Sequence, residues 1–125
     1  MDRNRKLVCA VLALAALAGS AFAGESAQAG RQVFERNCRT CHGGTAPADL
    51  AIGPSLNGIY GAKAGSRPGG THSRATIDSG IVWDRQTLRG FLSVPRRELP
   101  GALMPDGVSD PAELESLLDY LEALH

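Results

Sequence analysis

The apolar positions of this chain fall into separate helical stretches joined by segments with no period at all. Over residues 26–38, Ala29, Gly30, Val33, Phe34 and Asn37 follow helical spacing behind Ser26, which stands where an N-cap belongs, so a helix is predicted there. Gly30 and Phe34 lie four residues apart on one face, which would let another element approach closely over the glycine. From Gly43 to Gly70 the chain is rich in Gly and Pro and sustains neither a strand nor a long helix. A short helical turn is expected over 74–79. A second clear helix runs from a cap at Asp84 to about Ser93, carrying Leu88, Phe91 and Leu92 as its apolar stripe, and Pro95 is expected to end it. Residues 96–109 again read as irregular. Asp110-Pro111-Ala112-Glu113 then gives a cap, a proline at the first helical position and an acid three residues after the cap. Leu114, Leu117, Leu118, Leu121 and Leu124 continue that helix to the end. The prediction is an all-α domain of three main helices linked by long loops. Such loops are uncommon in a compact domain without a function, and these hold few apolar residues to bury.

The N-terminus has a different pattern. Arg3, Arg5 and Lys6 precede an apolar run from Leu7 to Leu17, and Ala21-Phe22-Ala23 places small residues at the positions a signal peptidase reads. The run is shorter than the roughly 18 to 20 residues that span a bilayer. Residues 1–23 are therefore read as a secretory signal peptide and 24–125 as one mature domain, exported and not integral to the membrane once cleaved. The whole chain is neutral, with 13 basic and 13 acidic residues; cleavage removes three basic residues and one acid, leaving a net charge of −2. That balance, with no clustered basic face, argues against a nucleic-acid binder.

Of the three cysteines, Cys9 leaves with the leader. The other two occur as Cys38-Arg39-Thr40-Cys41-His42, the Cys-x-x-Cys-His haem-attachment pattern. Each thiol can add across one haem vinyl group, and the adjacent histidine then lies where its imidazole can ligate the iron. A disulfide closing so short a loop would add little stability. A thioredoxin-like pair expects a strand before it and a long helix after it, whereas here a helix precedes and Gly43-Gly44 follows. A structural zinc site needs four ligands, and only His72 and His125 remain as nitrogen donors. For the opposite axial position Met104 is the one methionine outside the leader, set in a loop between Pro100 and Pro105. His72 and His125 compete with it, His125 as the terminal residue and His72 among glycines, where a place at the haem edge suits it better.

Across residues 27 to 124 the sequence resembles the class I c-type cytochromes, the small soluble bacterial and mitochondrial type. The first helix matches at Gly30, Phe34 and Cys38, and Gly53-Pro54-Ser55-Leu56-Asn57-Gly58 matches that family's Gly-Pro-x-Leu-x-Gly loop. Trp83, Phe91-Leu92, Pro95, Pro100-Gly101, Met104, Leu117 and Tyr120 continue the match. The resemblance implies the cytochrome c fold wrapped around one covalent haem c, with His42 and Met104 as metal ligands. It implies that the Pro54 carbonyl orients His42, and that Trp83 donates its indole N–H to a haem propionate. Departures from the pattern are also visible. Phe91 stands where the mitochondrial type has a tyrosine bonded to the methionine sulfur, and Ala62 where it has a buried arginine near the propionates. His72 replaces a tyrosine that contacts a propionate, and Asp106 replaces an aromatic residue. Loss of the arginine is expected to lower the reduction potential.

The function implied is a periplasmic monohaem cytochrome that carries single electrons and is not an enzyme. Its expected donor is a bc-type complex or dehydrogenase and its acceptor an oxidase or reductase. Arg36, Arg39, Arg96 and Arg97 are candidate docking charges in place of the family's lysines. A rival reading is a haem enzyme subunit, or a peroxidase or gas-binding cytochrome whose methionine ligand leaves readily.

Overall fold

The computed structural model describes residues 21–43 and 52–125. Residues 1–20 and 44–51, which hold most of the expected signal peptide and part of the stretch expected to be irregular, lie outside this description. Six helical segments follow one another, and no strand is present among the described residues. The first helix, α1, covers 21–37, and after a turn at Cys38 a single-turn helix α2 covers Arg39–His42. The others are α3 (Arg74–Asp78), α4 (Arg85–Ser93), α5 (Pro95–Glu98) and α6 (Pro111–Ala123).

Where capping chemistry is explicit, the helices begin as the sequence predicts. The Asp84 carboxylate accepts from the Thr87 amide at 2.8 Å and the Thr87 hydroxyl takes the Asp84 amide at 2.9 Å, a complete capping box for α4. Asp110 accepts from the Glu113 amide at 2.8 Å and so satisfies one of the free donors at the start of α6. Two expectations need correction. Ser26 is not a cap: α1 already runs through it, and its hydroxyl donates across the molecule to Asp119 at 2.5 Å. Pro95 does end α4, but it also starts α5. At a first helical position its missing N–H costs nothing and its fixed φ suits a new turn, so the segment after it is not irregular throughout.

The core forms where α6 crosses α1. Leu117 and Leu118 are 0% exposed and Leu121 is 2% exposed. The crossing is close because Gly30 has no side chain: a Cβ there would fall on the Ser116 carbonyl and come within 2.8 Å of the Tyr120 Cβ. The rings of Phe34 and Tyr120 stack beside it, 5.4 Å apart and tilted by 54°. Arg85 and Arg89 strap α4 to α6 through Glu115, with Asp119 also paired to Arg85.

Backbone hydrogen bonds fix the loops. The Gly58 amide donates to the Leu124 carbonyl at 2.8 Å and the Tyr60 hydroxyl to the Leu118 carbonyl at 3.1 Å, which ties the central loop to α6. Residues 61–64 run antiparallel to 81–83: Gly61 donates to the Trp83 carbonyl at 2.7 Å, Trp83 to that of Ala62 at 2.9 Å and Ala64 to that of Ile81 at 2.8 Å. The Val108 amide donates to the Leu92 carbonyl at 2.7 Å, which pins the segment after Met104 to the end of α4.

Candidate functional site

Among the described residues the helices and loops leave a large apolar cavity between them. Cys38, Cys41, His42, Pro54, His72, Trp83, Phe91 and Met104, the residues singled out by the sequence, all line it.

Cys38, Cys41 and His42 come from one helical turn. The Cys38 amide still bonds to the Phe34 carbonyl of α1 at 2.8 Å, while the Cys38 carbonyl accepts from Cys41 at 3.1 Å and from His42 at 2.8 Å. The spacing of two residues and the adjacent histidine are thus held by three backbone hydrogen bonds. Both thiols are free; Cys38 is buried and Cys41 half-buried. Burial, and then the neighbouring Cys41, pushes the Cys38 thiol up to about 11. A nucleophilic redox cysteine needs a depressed value, so this environment disfavours the thioredoxin-like reading. Among the described residues no cluster of His, Cys, Asp and Glu is assembled that could hold a bare metal ion. Among those residues the zinc reading lacks its ligand set.

His42 has a defined tautomer. Its Nδ1 lies 2.9 Å from the Pro54 carbonyl oxygen, which can only accept, so Nδ1 carries the proton and Nε2 keeps the free lone pair. The loop reaches the imidazole because residue 53 is glycine: a Cβ there would lie 2.6 Å from Cε1 and 2.7 Å from Nδ1 of the ring. Gly53 is in turn anchored by its amide to the Cys41 carbonyl at 2.9 Å. The Gly-Pro pair was legible as a motif. That its glycine makes room for the imidazole was not.

The remaining residues arrive from other elements. Trp83, buried at 6% exposure, packs its ring 5.1 Å from Phe91 of α4 at a tilt of 47°. Met104 is half-buried and packs against the core from the loop after α5. His72 is half-buried, and its Nε2–H donates to the Arg67 carbonyl at 2.9 Å. His125, the terminal residue, does not line the cavity. Arg67, which drew no notice in the sequence, does line it, and its Nε is buried with no hydrogen-bond partner among the described residues. Two free thiols, an imidazole with a free Nε2, a thioether and apolar walls fit the haem c that the Cys-x-x-Cys-His pattern implies.

Comparison with known proteins agrees with the geometry. The chain matches the Cytochrome c family model over residues 27–125. It is 36% identical over 107 residues to cytochrome c2 of Rhodomicrobium vannielii, covering 85% of each chain. It is 42% identical over 96 residues to cytochrome c2 of Agrobacterium tumefaciens, covering 74% of this chain and 86% of that one. Among solved structures it is similar to cytochrome cH from Methylobacterium extorquens, with a TM-score of 0.69 and 35% identity, covering 78% of this chain and 97% of that one.

Proposed function

The chain belongs to the cytochrome c family and has its all-α fold, and from that premise we propose that it is a periplasmic carrier of single electrons between respiratory partners. As in its family, it carries one covalent haem c and transfers electrons without being an enzyme. When bound, the haem iron supplies the one-electron chemistry. The chain's own residues attach, orient and shield it. Cys38 and Cys41 would hold the group by thioether links, and His42 would offer Nε2 to the iron while the Pro54 carbonyl fixes its ring. Met104 would offer its sulfur to the same iron. Trp83 and His72, which line the cavity, would face the haem propionates, and Phe91 has no hydroxyl to bond the Met104 sulfur. Leu56, Ile59, Leu88 and Leu92 keep water from the walls.

The observation that supports this reading is the convergence in one apolar cavity of Cys38, Cys41, Met104 and a His42 whose Nδ1–H is held by the Pro54 carbonyl. With His42 and Met104 both holding the iron, little of the chain would have to move when its oxidation state changes. Docking uses the cavity mouth, where Ile52 and Leu103 are 68% and 57% exposed. Arg96 and Arg97 of α5 are exposed and make no ion pair among the described residues. Arg36 and Arg39 instead pair with Glu113 at 2.7 Å and Glu35 at 2.9 Å, so the α5 side is the stronger cationic face. The donor is a bc-type complex or dehydrogenase and the acceptor an oxidase or reductase. The periplasmic location rests on the leader pattern of residues 1–23.

The test is a redox titration followed by absorption, on protein matured in a host that attaches haem c. A single one-electron wave with the methionine–iron band in the oxidised form is expected. Rapid, complete binding of carbon monoxide by the reduced protein at neutral pH would refute a filled sixth position. Release of protein beginning at Gly24 by osmotic shock tests the location.

A further inference from the structure

Among the described residues, one buried side-chain nitrogen or oxygen lacks a hydrogen-bond partner, and it is the Nε of Arg67. A guanidinium is always charged and has donors only, and a buried donor left unsatisfied is costly. Nothing in the local backbone forces the burial by looseness, since the loop is fixed on both sides. Ser66 donates its amide and its hydroxyl to the Lys63 carbonyl at 3.1 and 2.6 Å, and the Pro68 carbonyl accepts from the Ser55 amide at 2.9 Å. The Arg67 carbonyl itself accepts from His72. Ser66 and Pro68 on either side are exposed, so water is close at hand, yet the arginine lines the cavity. Among the described residues no Asp or Glu lines that cavity to receive it.

A half-buried arginine that lines an apolar cavity, its Nε buried and no acid beside it among the described residues, is matched to an anion brought by the occupant. We propose that Arg67 is the charged donor at the carboxylate end of the haem site, its Nε–H directed to a haem propionate. This rests on the haem reading above. Ser73, Thr76 and His72 line the same cavity. His72 cannot take this role while neutral, because its Nε2–H is committed to the Arg67 carbonyl and its Nδ1 then has no proton to donate. Its part is to hold Arg67 in place. The cation missing at Ala62 is thereby supplied from Arg67, and the low potential expected from Ala62 alone is offset.

The experiment compares midpoint potential, haem content and urea midpoint of the haem-loaded wild type with Arg67→Gln, Arg67→Met and Arg67→Lys. Arg74→Gln, at an arginine 84% exposed on α3, is the control. Loss of a cation beside the haem favours oxidised iron. Arg67→Gln and Arg67→Met are expected to shift the reduced-to-oxidised ratio at fixed poise by about tenfold, or about 59 mV lower for a one-electron couple. Arg67→Lys is expected to shift it by less than about threefold and Arg74→Gln by less than about twofold, the spread usual for a screened surface charge. Should the uncharged variants fail to retain haem, retention by Arg67→Lys supports the charge role and its loss there too overturns it. Fully loaded Arg67→Met with a wild-type potential also overturns the assignment, leaving Arg67 as packing. A wild type that matures colourless would instead remove the haem reading itself.

Discussion

Replacing Gly30 with alanine sets two effects of opposite sign against each other. By helix propensity alone the change is favourable, because glycine inside a helix is about 0.5–1 kcal/mol worse than alanine. By packing it is unfavourable: the new Cβ would sit 2.5 Å from the Ser116 carbonyl carbon and 2.8 Å from the Tyr120 Cβ, where ordinary contacts are 3.4–4 Å. The first obstacle is backbone in the middle of α6, which cannot swing aside as a side chain does, so α1 and α6 must separate. Overpacking of this kind costs about 1–3 kcal/mol, and loosening the Phe34–Tyr120 pair adds about 0.5–1.5 kcal/mol. The net expectation is a loss of about 2 kcal/mol, or about 8–16 °C in melting temperature for a domain of this size. Gly90→Ala is the internal comparison. Gly90 also lies within a helix, but its Cβ would meet only the flexible end of Glu98 at 3.1 Å, so propensity should win and stability rise by about 0.5 kcal/mol. Urea denaturation of both variants in the haem-loaded protein reads the result. Gly30→Ala as stable as wild type, or more so, would refute the close crossing.

Two further outcomes follow from the same contacts. Hydrogen bonds from Arg89 and then Arg85 hold the Glu115 carboxyl at about 2, below its ordinary 4.5. Because the folded value is the lower one, this contribution is complete above about pH 4.5 and is lost as pH falls toward 2. Glu115 is 45% exposed, so solvent screening limits the contribution to about 1 kcal/mol or less. The stability gap between wild type and Glu115→Gln should narrow below about pH 4.5 and close toward pH 2 in urea titrations, and a gap independent of pH would count against the network. Gly53→Ala should force the His42 ring off the Pro54 carbonyl and cut the haem content of purified protein several-fold; wild-type loading would show that the loop can retreat.

The sequence was most readable where local chemistry decides structure. Asp84 with Thr87 and Asp110 with Glu113 cap their helices through bonds spanning three residues, so position alone reveals them. Ser26 shows where such reading fails. A serine ahead of a periodic run looks like a cap, but its partner, Asp119, is 93 residues away. Pro95 fails differently, because one residue stops α4 and starts α5 and only the stop is visible locally. The attachment motif was legible because its spacing is short. Arg67 was not, because the place of a loop arginine at the cavity depends on a fold that brings the 52–55 and 68–71 segments together by backbone bonds, which leave no hydrophobic pattern.

Those same facts couple the stability of the domain to its site. Leu117 and Leu121 of α6 belong to the core and also form part of the cavity wall. The single stripe that packs α6 into the core therefore also backs the prosthetic group. A residue that moves α6 at Gly30 must move that wall, although Gly30 itself does not line the cavity. The loss of stability in Gly30→Ala should accordingly come with a changed haem absorption spectrum in the folded state, before any denaturant is added. If the spectrum stayed that of wild type while stability fell, the helix crossing and the cavity would be independent structures, and the shared stripe would carry no coupling.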